Sequence, residues 1–182
     1  LDDLKGFMSP LQRRMLKELL QHLDELNVHI ENLNDEIDNF MKPEEKQASQ
    51  VIQDVTGIGN TSAQAIIAVI GTDMERFPSD RHISSWAGLC PGDNVSAKKR
   101  KGGKIRKGNA LLKSTLVLCA HAAVRHKSSY FHTQFKRIST HRGKKRAYVA
   151  VAHSILIAIY HILKDGVKYQ DLGAEYYNQF NA

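Results

Sequence analysis

The sequence predicts a mostly α-helical chain, in which an N-terminal coiled-coil helix precedes a helical domain with a helix-hairpin-helix-like element and a basic loop or small β-hairpin. Three observations lead to this prediction: a heptad repeat near the N-terminus, further segments with helical apolar spacing, and a Gly-rich basic stretch between them. We expect three parts, a coiled-coil helix at 1–43, a helical domain at 44–166 and a partly ordered C-terminal tail at 167–182.

The first helix has an unbroken coiled-coil pattern over four heptads. Its a and d positions alternate in steps of three and four residues and are Leu16, Leu19, Leu23, Leu26, Ile30, Leu33, Ile37 and Phe40. Ser9 suits the N-cap, Pro10 suits the first turn, and Pro43 ends the helix. We expect a homo-oligomer through this seam. The alternative is an amphipathic helix that packs on its own domain.

The later helices are predicted from apolar spacing and from Gly, Pro and capping residues at their ends. They span Pro43–Val55, Thr61–Gly71, Pro78–Gly88, Ala110–Arg125, Ser129–Ser139 and Lys144–Lys164. Asn109 suits the N-cap of the fourth, a polar turn at 140–143 separates the last two, and Gly166 follows the last.

Gly57 and Gly59 lie in the turn between the first two of these helices. Glycine lets backbone N–H groups approach a ligand closely, and the next helix adds the partial positive charge of its N-terminus. The arrangement resembles the helix-hairpin-helix motif, which binds DNA phosphates without contacting the bases. The alternative is a plain helix–helix turn packed in the core.

The loop at 89–107 is the most basic part of the chain. Seven cations in ten residues follow Ser96: Lys98, Lys99, Arg100, Lys101, Lys104, Arg106 and Lys107. Such a loop predicts a polyanionic partner, and the Ser96 hydroxyl would lie beside a bound phosphodiester. A serine nucleophile needs a neutralised phosphate and a general base, for which Asp93 is the local candidate. The alternative is a loop that only binds nucleic acid.

Charge is divided unevenly along the chain. Residues 1–50 contain 11 acidic and 6 basic residues, whereas 51–182 contain 8 acidic and 20 basic residues, and the whole chain has a net charge of +7. The basic second part predicts a nucleic-acid partner. A second basic cluster, Arg142, Lys144, Lys145 and Arg146, either flanks the same groove or faces solvent.

Several other classes are not indicated. No uninterrupted apolar run of about 18 residues is present, so we expect no membrane span, and the first residues do not form a signal peptide. Cys90 and Cys119 alone fit a reducing, cytoplasmic compartment. The scattered histidines and carboxylates predict no metal site and no two-metal nuclease centre. The start without methionine suggests a fragment of a longer chain.

A series of residues follows, in order, a pattern known from one transposase family. The matching residues are Gly57-Ile58-Gly59, Phe77, Trp86-Ala87-Gly88-Leu89, Pro91, Asn94, Ser96, Lys99, Gly103, Ile105, Lys107-Gly108-Asn109 and Leu112-Lys113. Over residues 44–165 the chain resembles the C-terminal transposase domain of the insertion-sequence family IS-one-ten (IS110). Ala97 departs from the pattern, because the family usually has glycine after the serine.

The resemblance implies a transposase, or DNA recombinase, of the prokaryotic cytoplasm whose helical domain binds DNA and acts on it. Ser96 would be the catalytic residue that forms a transient phosphoserine link to DNA, and a structured guide RNA and homo-oligomers are implied. So is an N-terminal RuvC-like domain with four acidic residues and a divalent metal such as Mg²⁺. These 182 residues do not contain it, so we expect no cofactor here and an inactive fragment.

Two other hypotheses stay open. In the first, the chain is a non-catalytic helix-hairpin-helix module that binds DNA or RNA. In the second, a tyrosine such as Tyr130 or Tyr148 is the nucleophile.

Overall fold

The computed structural model describes residues 6, 8–90, 95–96, 99–100 and 107–177. Its α-helices are α1 (Pro10–Phe40), α2 (Pro43–Ile52), α3 (Asn60–Ile70), α4 (Asp80–Trp86), α5 (Ala110–Ala123), α6 (Tyr130–Arg142) and α7 (Lys144–Asp165). A short 3₁₀ helix covers Met74–Arg76, and two short strands are β1 (Val95–Ser96) and β2 (Lys99–Arg100). The predicted mostly helical class is confirmed. The chain forms two compact units, Leu1–Met41 and Lys42–Ala182.

The first unit consists of α1. Its N-terminus has a capping box, in which the Ser9 hydroxyl accepts a hydrogen bond from the Gln12 N–H (3.3 Å) and the Gln12 side chain accepts one from the Ser9 N–H (2.8 Å). No described residue of α1 is buried, and its a and d residues from Leu19 to Ile37 are 44–65% exposed. The coiled-coil association stays a prediction.

The core of the second unit is built around α7, which packs against α2, α4, α5 and α6. Val151, Ile155, Leu156 and Ile159 of α7 have no exposed surface, and each such side chain stabilises the fold by about 1.5–3 kcal/mol. The other large buried side chains come mainly from α3 and α5 and include Ile66, Ile67, Ile70, Leu112 and Leu116.

Helix α7 is also long and apolar enough to cross a membrane, judged by length and composition alone. Its apolar sequence is interrupted by His153, Ser154 and His161, so it contains no uninterrupted apolar run of the length that predicts a membrane span. In this fold its apolar residues form the core of the second unit.

The predicted polar turn at 140–143 is shorter than expected. Helix α6 continues to Arg142, and Gly143, with φ of +80°, alone separates it from α7. The hydroxyls of Ser139 and Thr140 donate to the Lys136 carbonyl (3.0 and 2.9 Å), so both are satisfied within the helix and do not end it.

Residues 167–177 of the predicted tail are fixed to the helical domain. The Asp171 carboxylate accepts hydrogen bonds from the Tyr130 N–H (2.8 Å) at the start of α6 and from the Gly173 N–H (2.7 Å). It also accepts one from the Thr56 hydroxyl (3.3 Å) in the turn after α2. The segment therefore joins the turn between α2 and α3 to the N-terminus of α6.

Candidate nucleic-acid interface

The basic loop contains the two short strands. They pair antiparallel, with Val95 opposite Arg100 and Ser96 opposite Lys99, and two residues connect them. For Ser96, Lys99 and Arg100 the structure describes the backbone alone. The predicted DNA-binding residues Lys98, Lys101, Lys104 and Arg106 lie outside the described residues.

The two ends of the loop meet at the start of α5. A Cβ added to Gly108 would lie 2.4–2.6 Å from backbone atoms of Ala87 and Gly88, so only glycine allows this approach. The Asn109 N–H lies 3.4 Å from the Trp86 carbonyl, and the Asn109 side chain caps α5 by accepting from the Leu112 N–H (2.9 Å). The residues directly before and after the loop are therefore in backbone contact.

Lys107 is the last cation of the loop and is exposed at this junction. It lies next to Gly108, directly before α5. Of the seven predicted loop cations, it is the one whose side-chain exposure the structure describes. Its position allows it to contact a polyanion held by the loop.

A histidine lies beside the other end of the loop. The Cys90 sulfur is 4.0 Å from Nε2 of His153, which lies on α7. Burial lowers the pKa of His153, an effect that the charge of Asp80 partly opposes. Its imidazole is therefore biased to the neutral form.

Gly57 and Gly59 have different surroundings. Gly57 has φ of +95°, and a Cβ there would lie 2.5 Å from the Cys119 carbonyl and 2.7 Å from Ala123 on α5. Gly59 is exposed, is the N-cap of α3, and has nothing within 4 Å of an added Cβ. Only the Gly59 side of the turn is therefore open to a ligand, and phosphate contact there stays a prediction.

The second basic cluster is on the surface. Arg142, Lys144, Lys145 and Arg146 are all exposed at the junction of α6 and α7. The sequence from 94 to 164 contains 17 Lys and Arg residues and no Asp or Glu. The four cations of the second basic cluster therefore face solvent.

One of the two tyrosine candidates is unsuited to nucleophilic attack. Burial raises the pKa of Tyr130, and the neighbouring Tyr177 and Tyr176 phenols raise it further. The phenolate needed for attack is therefore disfavoured. The Tyr148 ring is stacked between His121 and Phe135, with centroid distances of 3.6 and 4.5 Å. These contacts have no signal in the sequence, because the residues lie on three different helices.

Metal ligands do not converge in the described part of the chain. No group of three or more His, Cys, Asp or Glu side chains there is placed to hold a metal ion. The described residues thus do not provide the ligands for a divalent metal, which the resemblance assigns to a separate N-terminal domain.

Known proteins resemble this chain in the same region. Residues 49–136 match the model of the transposase family IS116/IS110/IS902. A transposase for insertion sequence element IS1111A from Coxiella burnetii is 32% identical over 108 residues, which cover 57% of this chain and 29% of that protein.

A second relative is an uncharacterized 43.6 kDa protein of insertion element IS110 from Streptomyces coelicolor. It is 28% identical over 131 residues, which cover 70% of this chain and 31% of the relative. The chain thus spans a little under one third of the length of both relatives. The family match includes the Gly57 turn, the basic loop, α5 and the start of α6.

Proposed function

We propose, from the match of residues 49–136 to the transposase family IS116/IS110/IS902 and from the two relatives, that the chain belongs to a protein that cuts and rejoins DNA strands in transposition. We further propose that Ser96 is the nucleophile. The observation that supports Ser96 most directly is its backbone pairing with Lys99 in a loop with seven cations. A hydroxyl with that many neighbouring cations suits attack on a phosphodiester.

In the proposed step the Ser96 oxygen forms a bond to phosphorus, and the bond from phosphorus to one DNA strand breaks. The hydroxyl proton passes to a general base, and the departing strand takes up a proton and ends in a hydroxyl. Attack by the hydroxyl of another strand reverses these changes and frees Ser96. The loop cations stabilise the negative charge that develops on the phosphate oxygens.

DNA binding in this proposal uses two parts of the domain. Lys98, Lys99, Arg100, Lys101, Lys104, Arg106 and Lys107 bind phosphates around the cleaved strand. Gly59 at the N-terminus of α3 offers backbone N–H groups to a phosphate at a second place, supported by its exposure and the open space around it. These contacts position DNA without selecting its sequence.

We also propose a homo-oligomer, a guide RNA and a metal-binding RuvC-like domain as partners of this domain. The exposed apolar seam of α1 supports the oligomer. The acid-free stretch from 94 to 164 supports a second polyanion beside the DNA, because it contains many more cations than the loop alone.

The test is recombination by the complete transposase with its guide RNA and a divalent metal. Ser96→Ala removes a single oxygen, so folding and DNA affinity should change little while strand exchange falls to background. Ser128→Ala is the matched control, because it removes the same oxygen at an exposed position that has no proposed role. Mass spectrometry of trapped intermediates should find a DNA phosphate on Ser96.

Near-normal recombination by Ser96→Ala would exclude the serine mechanism. If DNA binding then remained, the non-catalytic DNA- or RNA-binding module would be the better description of this domain. An adduct on Tyr148 would instead identify a tyrosine nucleophile.

A further inference from the structure

A stack of aromatic rings lies on the surface of the second unit, on α5, α6 and α7. The His121 ring on α5 is nearly parallel to the Tyr148 ring on α7, with centroids 3.6 Å apart and an angle of 17°. Phe135 on α6 packs against Tyr148 with centroids 4.5 Å apart. His121 is exposed and Tyr148 is half-buried. A planar ring is thus presented to solvent and held in place by two rings behind it.

Cations flank this stack on both helices. The chain continues beyond α5 in a turn that includes Arg125, whose N–H donates to the Ala122 carbonyl (3.1 Å); Arg125 follows His121 by four residues. Lys144 and Lys145 lie four and three residues before Tyr148 on α7. All three cations are exposed.

The positive charge here is not compensated by nearby acids. No Asp or Glu occurs between residues 94 and 164. The ion pairs Arg14–Glu18, His22–Glu25 and His161–Asp165 do not involve these three cations. An exposed cluster of this kind attracts a polyanion.

We propose that His121, Arg125, Lys144, Lys145 and Tyr148, here called the α5–α7 platform, bind single-stranded nucleic acid. An unpaired base stacks on the exposed His121 ring, and the three cations contact the flanking phosphates. Aromatic rings beside cations are the usual components of single-strand sites, because every base has a face that can stack and every nucleotide has a phosphate.

The platform favours a single strand over a duplex. In a duplex each internal base is covered on both faces by its neighbours, so it cannot stack on a protein ring. A duplex can therefore use the three cations but not His121. The involvement of an aromatic ring distinguishes this surface from a site that binds phosphates alone.

The platform lies at the opposite end of α5 from the junction with the basic loop. Helix α5 has 14 residues and so is about 20 Å long; Lys107 precedes its N-terminus and His121 lies near its C-terminus. The inference goes beyond the proposed function, because it concerns a second strand-binding surface that does not use Ser96.

The test measures binding of the 182-residue chain to three labelled probes of equal length: unstructured single-stranded RNA, unstructured single-stranded DNA, and duplex DNA. His121→Ala should weaken binding of at least one single-stranded probe by about fivefold or more, from the loss of one stacked base, and leave the duplex almost unchanged. His121→Phe keeps a ring and should retain the affinity. His126→Ala is the matched control, because His126 is exposed nearby and outside the stack.

A second pair of variants tests the cations without touching the rings. Lys144→Gln with Lys145→Gln should reduce the salt dependence of single-strand binding by about 1.4 units of slope, since each phosphate contact contributes ~0.7. Arg81→Gln with Lys168→Gln removes the same charge from other exposed positions and should have a smaller effect. Ser96→Ala should leave this binding intact, which separates this test from that of the nucleophile.

Loss of affinity for RNA, for single-stranded DNA or for both supports the proposal and identifies the strand. Unchanged affinity of His121→Ala for both single-stranded probes would overturn it. An equal loss for the duplex would also overturn it, because the surface would then bind phosphates only. Urea unfolding of His121→Ala and His121→Phe checks that both variants are folded.

Discussion

At the scale of single residues, Gly57 and Gly59 differ in what a side chain would meet. Gly57→Val forces a β-branched residue into φ of +95° and against the Cys119 carbonyl. We expect it to destabilise the second unit by about 2 kcal/mol or more, because backbone strain and a clash add. Gly59→Val has open space and φ of −102°, so it should fold and lose DNA affinity by covering backbone N–H groups.

Urea unfolding of both variants measures the effect of each glycine on stability, and DNA titration measures its effect on DNA affinity. Gly59→Ala is the control, since its single methyl covers less of the turn. If folded Gly59→Val binds DNA as well as the unaltered chain does, the turn is a structural connection only.

His153 provides a pH-dependent contribution to stability. Burial lowers the pKa of His153 in the folded state, whereas an unfolded histidine titrates near ~6.5. As pH falls below about 6.5, the unfolded state binds the proton first and is favoured. The free energy of unfolding should therefore fall below that pH, until His153 also becomes protonated in the folded state.

The measurement compares urea unfolding of the unaltered chain and of His153→Gln from pH 8 to pH 5. The difference between the two should shrink or reverse as pH falls, because glutamine does not titrate. His126→Gln, at an exposed position, should follow the unaltered chain. A pH-independent difference would mean that burial does not lower the pKa of His153 in the folded state.

At the scale of helices and loops, α1 presents an apolar seam with no buried residue. Burying one leucine stabilises by about 1.5–3 kcal/mol, so Leu23→Lys with Ile30→Lys should weaken self-association at least ~100-fold. We expect a monomer at micromolar concentration by sedimentation equilibrium, whereas the unaltered chain is a dimer or larger oligomer.

Gln21→Lys with Asn27→Lys is the control for this seam, because it adds the same charge at exposed positions outside the a and d residues. It should leave the oligomer intact. A monomeric unaltered chain at high micromolar concentration would contradict the coiled-coil prediction.

The α-helices were predictable because their signals are local. Ser9 and Asn109 form the expected caps, and every predicted helix is present, with ends shifted by a few residues. The contacts of the C-terminal segment were not predictable, because Asp171 and Thr56 are 115 residues apart. The same holds for His121 and Tyr148, whose contact depends on the packing of α5 against α7. Gly57 and Gly59 look equivalent in sequence, whereas in the structure the positive φ of Gly57 and its contact with α5 distinguish them.

At the scale of the whole molecule, the N-terminal part of the chain and the region from 94 to 164 carry opposite net charge. The first 50 residues are acidic on balance, whereas 94–164 contain 17 cations and no carboxylate. Such a basic region binds nucleic acid mainly through phosphates, so affinity should depend steeply on salt. The loop and the α5–α7 platform contribute to this separately, which allows their cations to be tested one group at a time.

For the loop, the test is the replacement of Lys98, Lys99 and Lys101 together by glutamine. Each phosphate contact on duplex DNA contributes ~0.9 to the slope of log affinity against log salt, so the slope should flatten by up to about 2.7. Lys17→Gln, Arg81→Gln and Lys168→Gln together remove the same net charge at exposed positions elsewhere. This control should change the slope much less, since only contacting cations release counterions. Equal slopes in the loop variant and the unaltered chain would mean that the loop does not contact the DNA backbone.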